Sequence, residues 1–227
     1  MSTSPVKATF LAGDAPENCT ICPRLTAFRA DNKKKYPSFY NGPVPSFGDP
    51  DHELLIVGMA PGMKGANQTA RPFTGDYAGD LLFATLAKFG YTSGIYKSMG
   101  GDGLTLKNTL ITNAVRCVPP QNKTIAEEED NCRPFLINQI NNSSRLRMVL
   151  ALGLVAHNSV LRTFGKKKSA FKFAHGAIHP LGNNFGKDIT LINSYHCSRY
   201  NTNTKRLTTE MFEDVFQKID DFLTPEN

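Results

Sequence analysis

The sequence predicts an α/β protein, a three-layer α/β/α sandwich around a central, mostly parallel four-stranded sheet. Three observations predict it. Four short apolar runs of strand length are spread over 227 residues. A stretch with helical apolar period follows each run. Two of the runs stop at a glycine, Gly58 and Gly153. Residues 1–18 read as a flexible leader, which leaves 19–227 as a single domain. Residues 41–50 are rich in Pro and Gly and read as loop. Residues 53–58 are the first buried strand. The following helix, residues 76–89, places Leu81, Leu82, Leu86 and Phe89 at helical spacing. Residues 109–115 are the second strand. Thr124-Ile125-Ala126-Glu127 has the capping-box form and opens a helix to about residue 141. Residues 147–152 are the third strand and 154–164 its helix. Residues 189–193 are the fourth. A last helix carries Met211, Phe212, Val215, Phe216, Ile219, Phe222 and Leu223 on one stripe.

Composition narrows the function classes. Hydrophobic residues make up 40% of the chain, ordinary for a globular core. Residues 1–10 lack the apolar centre of a signal peptide. The longest apolar run, 148–156, is too short to span a bilayer. A cytoplasmic monomer without membrane contacts is expected. In that reducing compartment five cysteines argue for metal binding or catalysis over disulfides. The net charge of +6 is compatible with a polyanionic partner. Basic clusters at Lys33-Lys34-Lys35, at Lys166-Lys167-Lys168, and at Arg199 with Lys205 and Arg206 sharpen that reading, although a charge run is also the ordinary make-up of a solvated face.

Four cysteines stand out. Cys19 and Cys22 form a C-x-x-C pair, and Cys117 and Cys132 follow far downstream with 14 residues between them. Thiolates are soft ligands, and four of them suit an iron–sulfur cluster or a zinc ion. Zinc ribbons usually carry two C-x-x-C knuckles, and the second is missing here. A centre closed by ligands so far apart would staple the N-terminal region onto the middle of the fold. The fifth, Cys197, neighbours His196. Adjacent residues of an extended segment point to opposite sides, so Cys197 reads as a small filler and not as a nucleophile paired with that histidine.

In parallel α/β sheets, ligands bind beyond the carboxyl ends of the strands. That rule selects three loops. The first runs Gly58-Met59-Ala60-Pro61-Gly62 and on to Arg71-Pro72-Phe73-Thr74-Gly75-Asp76. Its glycines permit close backbone approach, and no Gly-Lys-Ser/Thr follows, so it is not a P-loop. The second is Asn113-Ala114-Val115-Arg116-Cys117-Val118-Pro119-Pro120-Gln121-Asn122-Lys123. The third, Tyr195-His196-Cys197-Ser198-Arg199-Tyr200-Asn201-Thr202-Asn203-Thr204, is polar, aromatic and basic together.

These loops, with the four spaced cysteines, resemble the iron–sulfur uracil-DNA glycosylases, and within them the broad-specificity type 5 branch. The specific parts are the G-x-A-P-G loop with its Phe-Thr-Gly-Asp ending, the Arg-Cys-x-Pro-Pro-x-Asn-Lys stretch, and His196-x-Ser-x-x-Asn201-Thr leading to Arg206-Leu207-Thr208. The resemblance covers the chain from Cys19 to the last helix. It implies the same α/β/α sandwich and a 4Fe-4S cluster on Cys19, Cys22, Cys117 and Cys132. It further implies excision of uracil, and of deaminated purines such as hypoxanthine, from DNA. By the same resemblance Phe73 stacks on an extruded base, Asn113 reads its edge, and Gly58, Ala60 and Gly62 line its pocket. His196 stabilises the departing base, and Asp76 is the candidate general base. Asn122 and Asn201 are candidates for positioning water or base. Arg199, Tyr200, Lys205 and Arg206 form a DNA-facing loop. Where several glycosylase branches carry a carboxylate or Asn, Ala60 stands here, which matches type 5 and speaks against type 4. The competing readings are a narrow type 4 enzyme, a non-catalytic nucleic-acid binder with a structural metal, and an iron–sulfur electron carrier. Alkaline cleavage of a uracil-containing duplex after incubation separates the enzymes from the other two.

Overall fold

Short, fully buried runs place the frame. Leu54–Gly58 (β2), Thr109–Asn113 (β5) and Met148–Leu152 (β6) are buried along their whole length. They are joined by Lys187–Ser194 (β8), whose last four residues are buried. A computed structural model describes residues 7–224. These four strands pair in parallel in the order β5-β2-β6-β8. Continuous burial is what a parallel sheet covered on both faces demands.

The sheet has six strands, not the four expected. Phe47–Gly48 (β1) pairs antiparallel with β5 at one edge, and Ile178–Asn184 (β7) pairs antiparallel with β8 at the other. Neither has the apolar run of a central strand. The first is two residues long inside the Pro/Gly-rich loop. The second contains Pro180 and Gly182, is mostly exposed, and shifts register between them. Proline is tolerated at a sheet edge because one side needs no ladder bond. A small two-stranded sheet, Thr92–Ser93 (β3) with Thr105–Leu106 (β4), lies outside this frame.

Helices cover both faces. On one side Leu54, Ile56, Leu150 and Ile192 meet Leu82, Phe83 and Leu86 of Tyr77–Lys88 (α3) and Phe212, Val215, Phe216 and Ile219 of Thr209–Leu223 (α7). On the other, Leu55, Val57, Val149 and Leu191 meet Leu136 and Ile140 of Ala126–Asn142 (α4) and Val160 and Leu161 of Leu154–Thr163 (α5). Successive strand residues thus feed opposite layers, as a period of two requires. The start of α4 differs from the expected capping box by one residue. Ile125 is the N-cap, and its N–H donates to Glu128 Oε2 at 3.1 Å, while the Thr124 hydroxyl donates to Glu129. The remaining elements are short or peripheral: Pro23–Lys35 (α1), Ala66–Thr69 (α2), a 3-10 turn at Pro120–Asn122, and Arg199–Asn203 (α6). Among the described residues no helix is long and apolar enough to cross a membrane.

The expected leader is docked where it is described. Asp14 Oδ1 accepts from Arg116 Nη1 at 3.1 Å, from the Ser46 hydroxyl at 2.7 Å and from Gln139 Nε2 at 3.1 Å. Ala15 is buried. Residues 1–6 of the leader lie outside the described residues.

Candidate active site

The carboxyl ends of β2, β5, β6 and β8 open into one cleft of about 430 Å³, within the ~300–1,000 Å³ usual for small-molecule sites. The loop after β2 supplies Met59, Ala60, Pro61 and Gly62. The end of β5 supplies Asn113 and its following loop Asn122. Gly153, Leu154 and Val155 come from the turn into α5, and His196 and Ser198 from the loop after β8. Phe73, Asp76 and Ala78 complete the wall. The three loops selected by sequence therefore converge.

Each of these side chains is held by a local device. Phe73 is buried at a positive φ of 52°, uncommon for a bulky residue. Its neighbours fix that conformation. Thr69 Oγ1 donates to the Thr74 carbonyl at 2.9 Å and Arg71 Nε to Thr74 Oγ1 at 2.8 Å. Arg71 in turn makes a two-pronged ion pair with Asp102, both contacts at 2.7 Å. That pairing holds the Asp102 carboxyl well below the usual carboxylate range. The Phe73 ring lies nearly parallel to the His196 ring, centroids 5.8 Å apart and planes 26° apart. A Cβ on Gly58 would sit 2.5 Å from Asn113 Oδ1 and 2.8 Å from Phe73 Cζ, so only glycine lets those two side chains meet there.

Asp76 caps α3: Oδ1 accepts from the Ala78 N–H at 3.1 Å. Its other oxygen, Oδ2, lies beside the first loop. A Cβ on Gly62 would be 3.1 Å from it and one on Gly65 only 2.4 Å. One carboxylate thus anchors a helix with one oxygen and leaves the other unpaired among the described residues. Asn113 is 3% exposed at the strand end, and its amide makes no hydrogen bond among the described residues. His196 is half-buried, and burial lowers its pKa below the ordinary value while the Asp76 charge pulls the other way. Its Nδ1 is buried without a partner among the described residues.

One expected cleft residue sits elsewhere, and the expected DNA-facing loop lies outside the cleft. Asn201 does not line the cleft: its Nδ2 donates to the His196 carbonyl at 2.8 Å and so braces the loop that carries the histidine. Arg199, Tyr200, Lys205 and Arg206 are exposed beyond the rim, with Tyr200 72% exposed. Arg206 lies over the Tyr195 ring at 4.7 Å and Arg199 over Tyr77 at 5.5 Å. Cys197 is fully buried in the α3–α7 core, donates to the Ala78 carbonyl at 3.4 Å, and burial pushes its thiol up, so it is no nucleophile. Sequence reasoning missed Gly65, Leu154 and Val155. Gly65 had one signal, the glycine pair 62 and 65. The other two lie just past the third predicted strand, where the same strand-end rule points.

The four spaced cysteines line a second, small cavity together with Arg29, Arg116, Asn131 and Phe135. Cys22, Cys117 and Cys132 are buried there with Leu25 and Val115, and Ala60 from the cleft wall packs on the same group. Burial pushes the Cys132 thiol up to about 11 and Cys117 up to about 12. Among the described residues no group of three or more His, Cys, Asp or Glu side chains is disposed to hold a single metal ion. Cationic and amide side chains line the cavity beside the cysteines. Asn131 Nδ2 donates to Cys22 Sγ at 3.6 Å. Among the described residues Arg29 Nε and Arg116 Nε and Nη2 are buried with no acceptor, each a cost of about 1–3 kcal/mol if left unmade.

Comparison with known proteins agrees with this geometry. Residues 45–220 match the family model of the uracil DNA glycosylase superfamily. The chain is 42% identical over 205 residues to a type-5 uracil-DNA glycosylase of Thermus thermophilus, covering 88% of this chain and 91% of that one. It is 38% identical to a type-5 uracil-DNA glycosylase of Pyrobaculum aerophilum, covering 88% and 87%. A type-4 uracil-DNA glycosylase of the same organism is 30% identical over 181 residues, covering 79% and 78%.

Proposed function

The chain belongs to the uracil DNA glycosylase superfamily, and we propose that it is a type-5 enzyme that hydrolyses the bond between uracil and deoxyribose in DNA, the first step of base excision repair. Deaminated purines such as hypoxanthine are further substrates in this reading. One observation carries it: an aromatic face, a free amide, an imidazole and a half-free carboxylate meet in a single cleft at the sheet's rim. The small Ala60 on the wall, where type 4 enzymes generally carry Glu, and the higher identity to type-5 relatives both favour type 5 over type 4.

A glycosidic bond inside a duplex is out of reach, so the nucleotide must swing out of the stack. The extruded base then lies on Phe73, and Asn113 offers uracil both a donor and an acceptor. As the bond to the sugar breaks, its electron pair leaves with the base. His196 donates a hydrogen bond to the oxygen on which that charge grows. The sugar becomes oxocarbenium-like, as in other glycosyl transfers. Water bonds to its anomeric carbon and gives its proton to the free oxygen of Asp76. Asn122 stands at the rim of the cleft to position that water. No lysine lines the cleft among the described residues, which fits hydrolysis without a lyase step. Arg199, Tyr200, Lys205 and Arg206 would hold phosphates and fill the vacated stack.

Cys19, Cys22, Cys117 and Cys132 would hold a 4Fe-4S cluster, which supplies a structural tie between the N-terminal region and the loop after β5. The support is four soft donors around one cavity, with partnerless cationic N–H groups beside them. We place the protein in the cytoplasm as a monomer. The test is a duplex with one uracil, incubated with protein and treated with alkali, beside duplexes with hypoxanthine and xanthine. Strand scission at uracil is expected, and absence of abasic product from all three overturns the reading. Iron and sulfide in the purified protein test the cluster, and stoichiometric zinc in their place ends that assignment.

A further inference from the structure

We infer that Arg29 and Arg116 are positioning residues for the cysteine-bound group, their buried guanidinium N–H groups supplying the charge-assisted hydrogen bonds that hold it and set its potential. The inference rests on the proposal that the four cysteines carry a 4Fe-4S cluster.

Both arginines line the cysteine cavity. Arg116 is 1% exposed, and its polar atoms divide sharply. Nη1 donates to Asp14 Oδ1 and to Ser46 Oγ at 2.8 Å, while Nε and Nη2 are buried with nothing to donate to. Arg29 repeats the pattern from the other side. Its Nη2 donates to the Cys19 carbonyl, and its Nε is buried without a partner. Three unmatched nitrogens around one small cavity are hard to explain by packing alone, because buried donors in folded proteins nearly always have acceptors.

Charge points the same way. Arg116 is balanced by Asp14, and Arg24 by Glu128 at 2.7 Å. Arg29 has no carboxylate at ion-pair distance among the described residues. The corner therefore holds an uncompensated buried cation, which is costly unless an anion sits beside it. Thiolates and inorganic sulfides leave a 4Fe-4S centre net negative, and hydrogen bonds to its sulfurs tune its potential. Asn131 already makes one such bond, to Cys22 Sγ. The reduced centre gains one more negative charge, so cationic donors favour it and raise the potential.

The test uses the intact, cluster-loaded protein. Arg29→Gln removes the unbalanced charge without stranding a carboxylate, and Arg29→Lys restores the charge. Arg116→Lys is the second probe, because it keeps Asp14 paired. Iron and sulfide content, far-UV circular dichroism and the one-electron midpoint potential are measured for each. In Arg29→Gln the reduction equilibrium is expected to fall about tenfold, a potential ~59 mV lower, with Arg29→Lys recovering most of it. A folded variant that has lost its iron supports the inference equally. Unchanged potential and unchanged iron retention in Arg29→Gln and Arg116→Lys overturn it and leave the cluster assignment standing. A wild-type protein without iron and sulfide overturns both.

Discussion

The cleft and the cysteine corner share one stretch of chain and follow opposite rules. Asn113 ends β5 and faces the cleft, and four residues later Cys117 faces the corner. In the cleft the polar atoms are left free: the Asn113 amide, Asp76 Oδ2 and His196 Nδ1. The backbone around them is strained at Phe73 and crowded against Gly58 and Gly65. In the corner, side chains bond across long sequence separations. Asp14 gathers Arg116, Ser46 and Gln139, and Arg24 reaches Glu128 through Nε and Nη2. Free polar groups gathered around one cavity are the usual mark of a ligand, and strain tends to be kept at such places. Satisfied networks between remote segments mark a fastening. The corner's own exceptions are all cationic and all beside the cysteines.

The sharpest way to break this division is Asp14→Asn. The Asp14–Arg116 pair is 1% exposed at both ends. Removing one charge leaves the other buried and unpaired, a loss of about 3–5 kcal/mol. Urea unfolding of the loaded protein should show it, while excision per folded molecule in the cold stays near normal. A loss below about 1 kcal/mol would mean that the corner is not a fastening.

Asp76→Asn tests the opposite property. Asn caps helices as well as Asp does, so melting should barely move. Excision in single turnover should fall roughly 10²-fold or more while DNA binding persists, because the proton acceptor is gone. Near-normal turnover removes Asp76 from the chemistry. Gly65→Ala asks the same question more gently. The new methyl would lie 2.4 Å from Asp76 Oδ2. The carboxylate must shift, and small misplacements cost catalysis heavily. A fall of about tenfold in rate with little change in stability is expected. Loss of stability without loss of rate would show that the crowding serves only the fold.

The parts of this contrast that were legible in the sequence are those written in local pattern. The parallel strands were readable from short apolar runs, unbroken in β2 and β6 and reduced to Leu110-Ile111 in β5 and to residues 189–192 in β8. The edge strands were not, since β1 is two residues and β7 carries Pro180 and Gly182 among exposed positions. Asp76, Phe73 and His196 could be picked out because strand-end loops draw the eye to chemistry-bearing residues. Gly65, Asp14 and Arg29 could not. Their importance lies in what they approach in space: a carboxylate eleven residues on, an arginine a hundred residues on, and a cavity closed by three separate segments. Asn201 shows the reverse error, a motif residue whose side chain is spent on the His196 carbonyl and does not reach the cleft wall.

The smallest effects should come from the rim, where the contrast becomes one between a free and a braced cation. Lys205 is exposed and makes no side-chain hydrogen bond or ion pair among the described residues. If it meets a phosphate, Lys205→Ala should lower the slope of log affinity against log salt by about 0.9, with excision of bound substrate unchanged. Arg206 differs, because its guanidinium covers Tyr195, the residue before His196, and Tyr195 also stacks on His175 at 5.1 Å. Arg206→Ala should therefore reduce the salt slope by a similar amount and also slow excision a few-fold, through a looser histidine loop. Identical behaviour of the two variants would place Arg206 among the ordinary phosphate contacts. A flat salt dependence in the unmodified protein would move the DNA off this rim altogether.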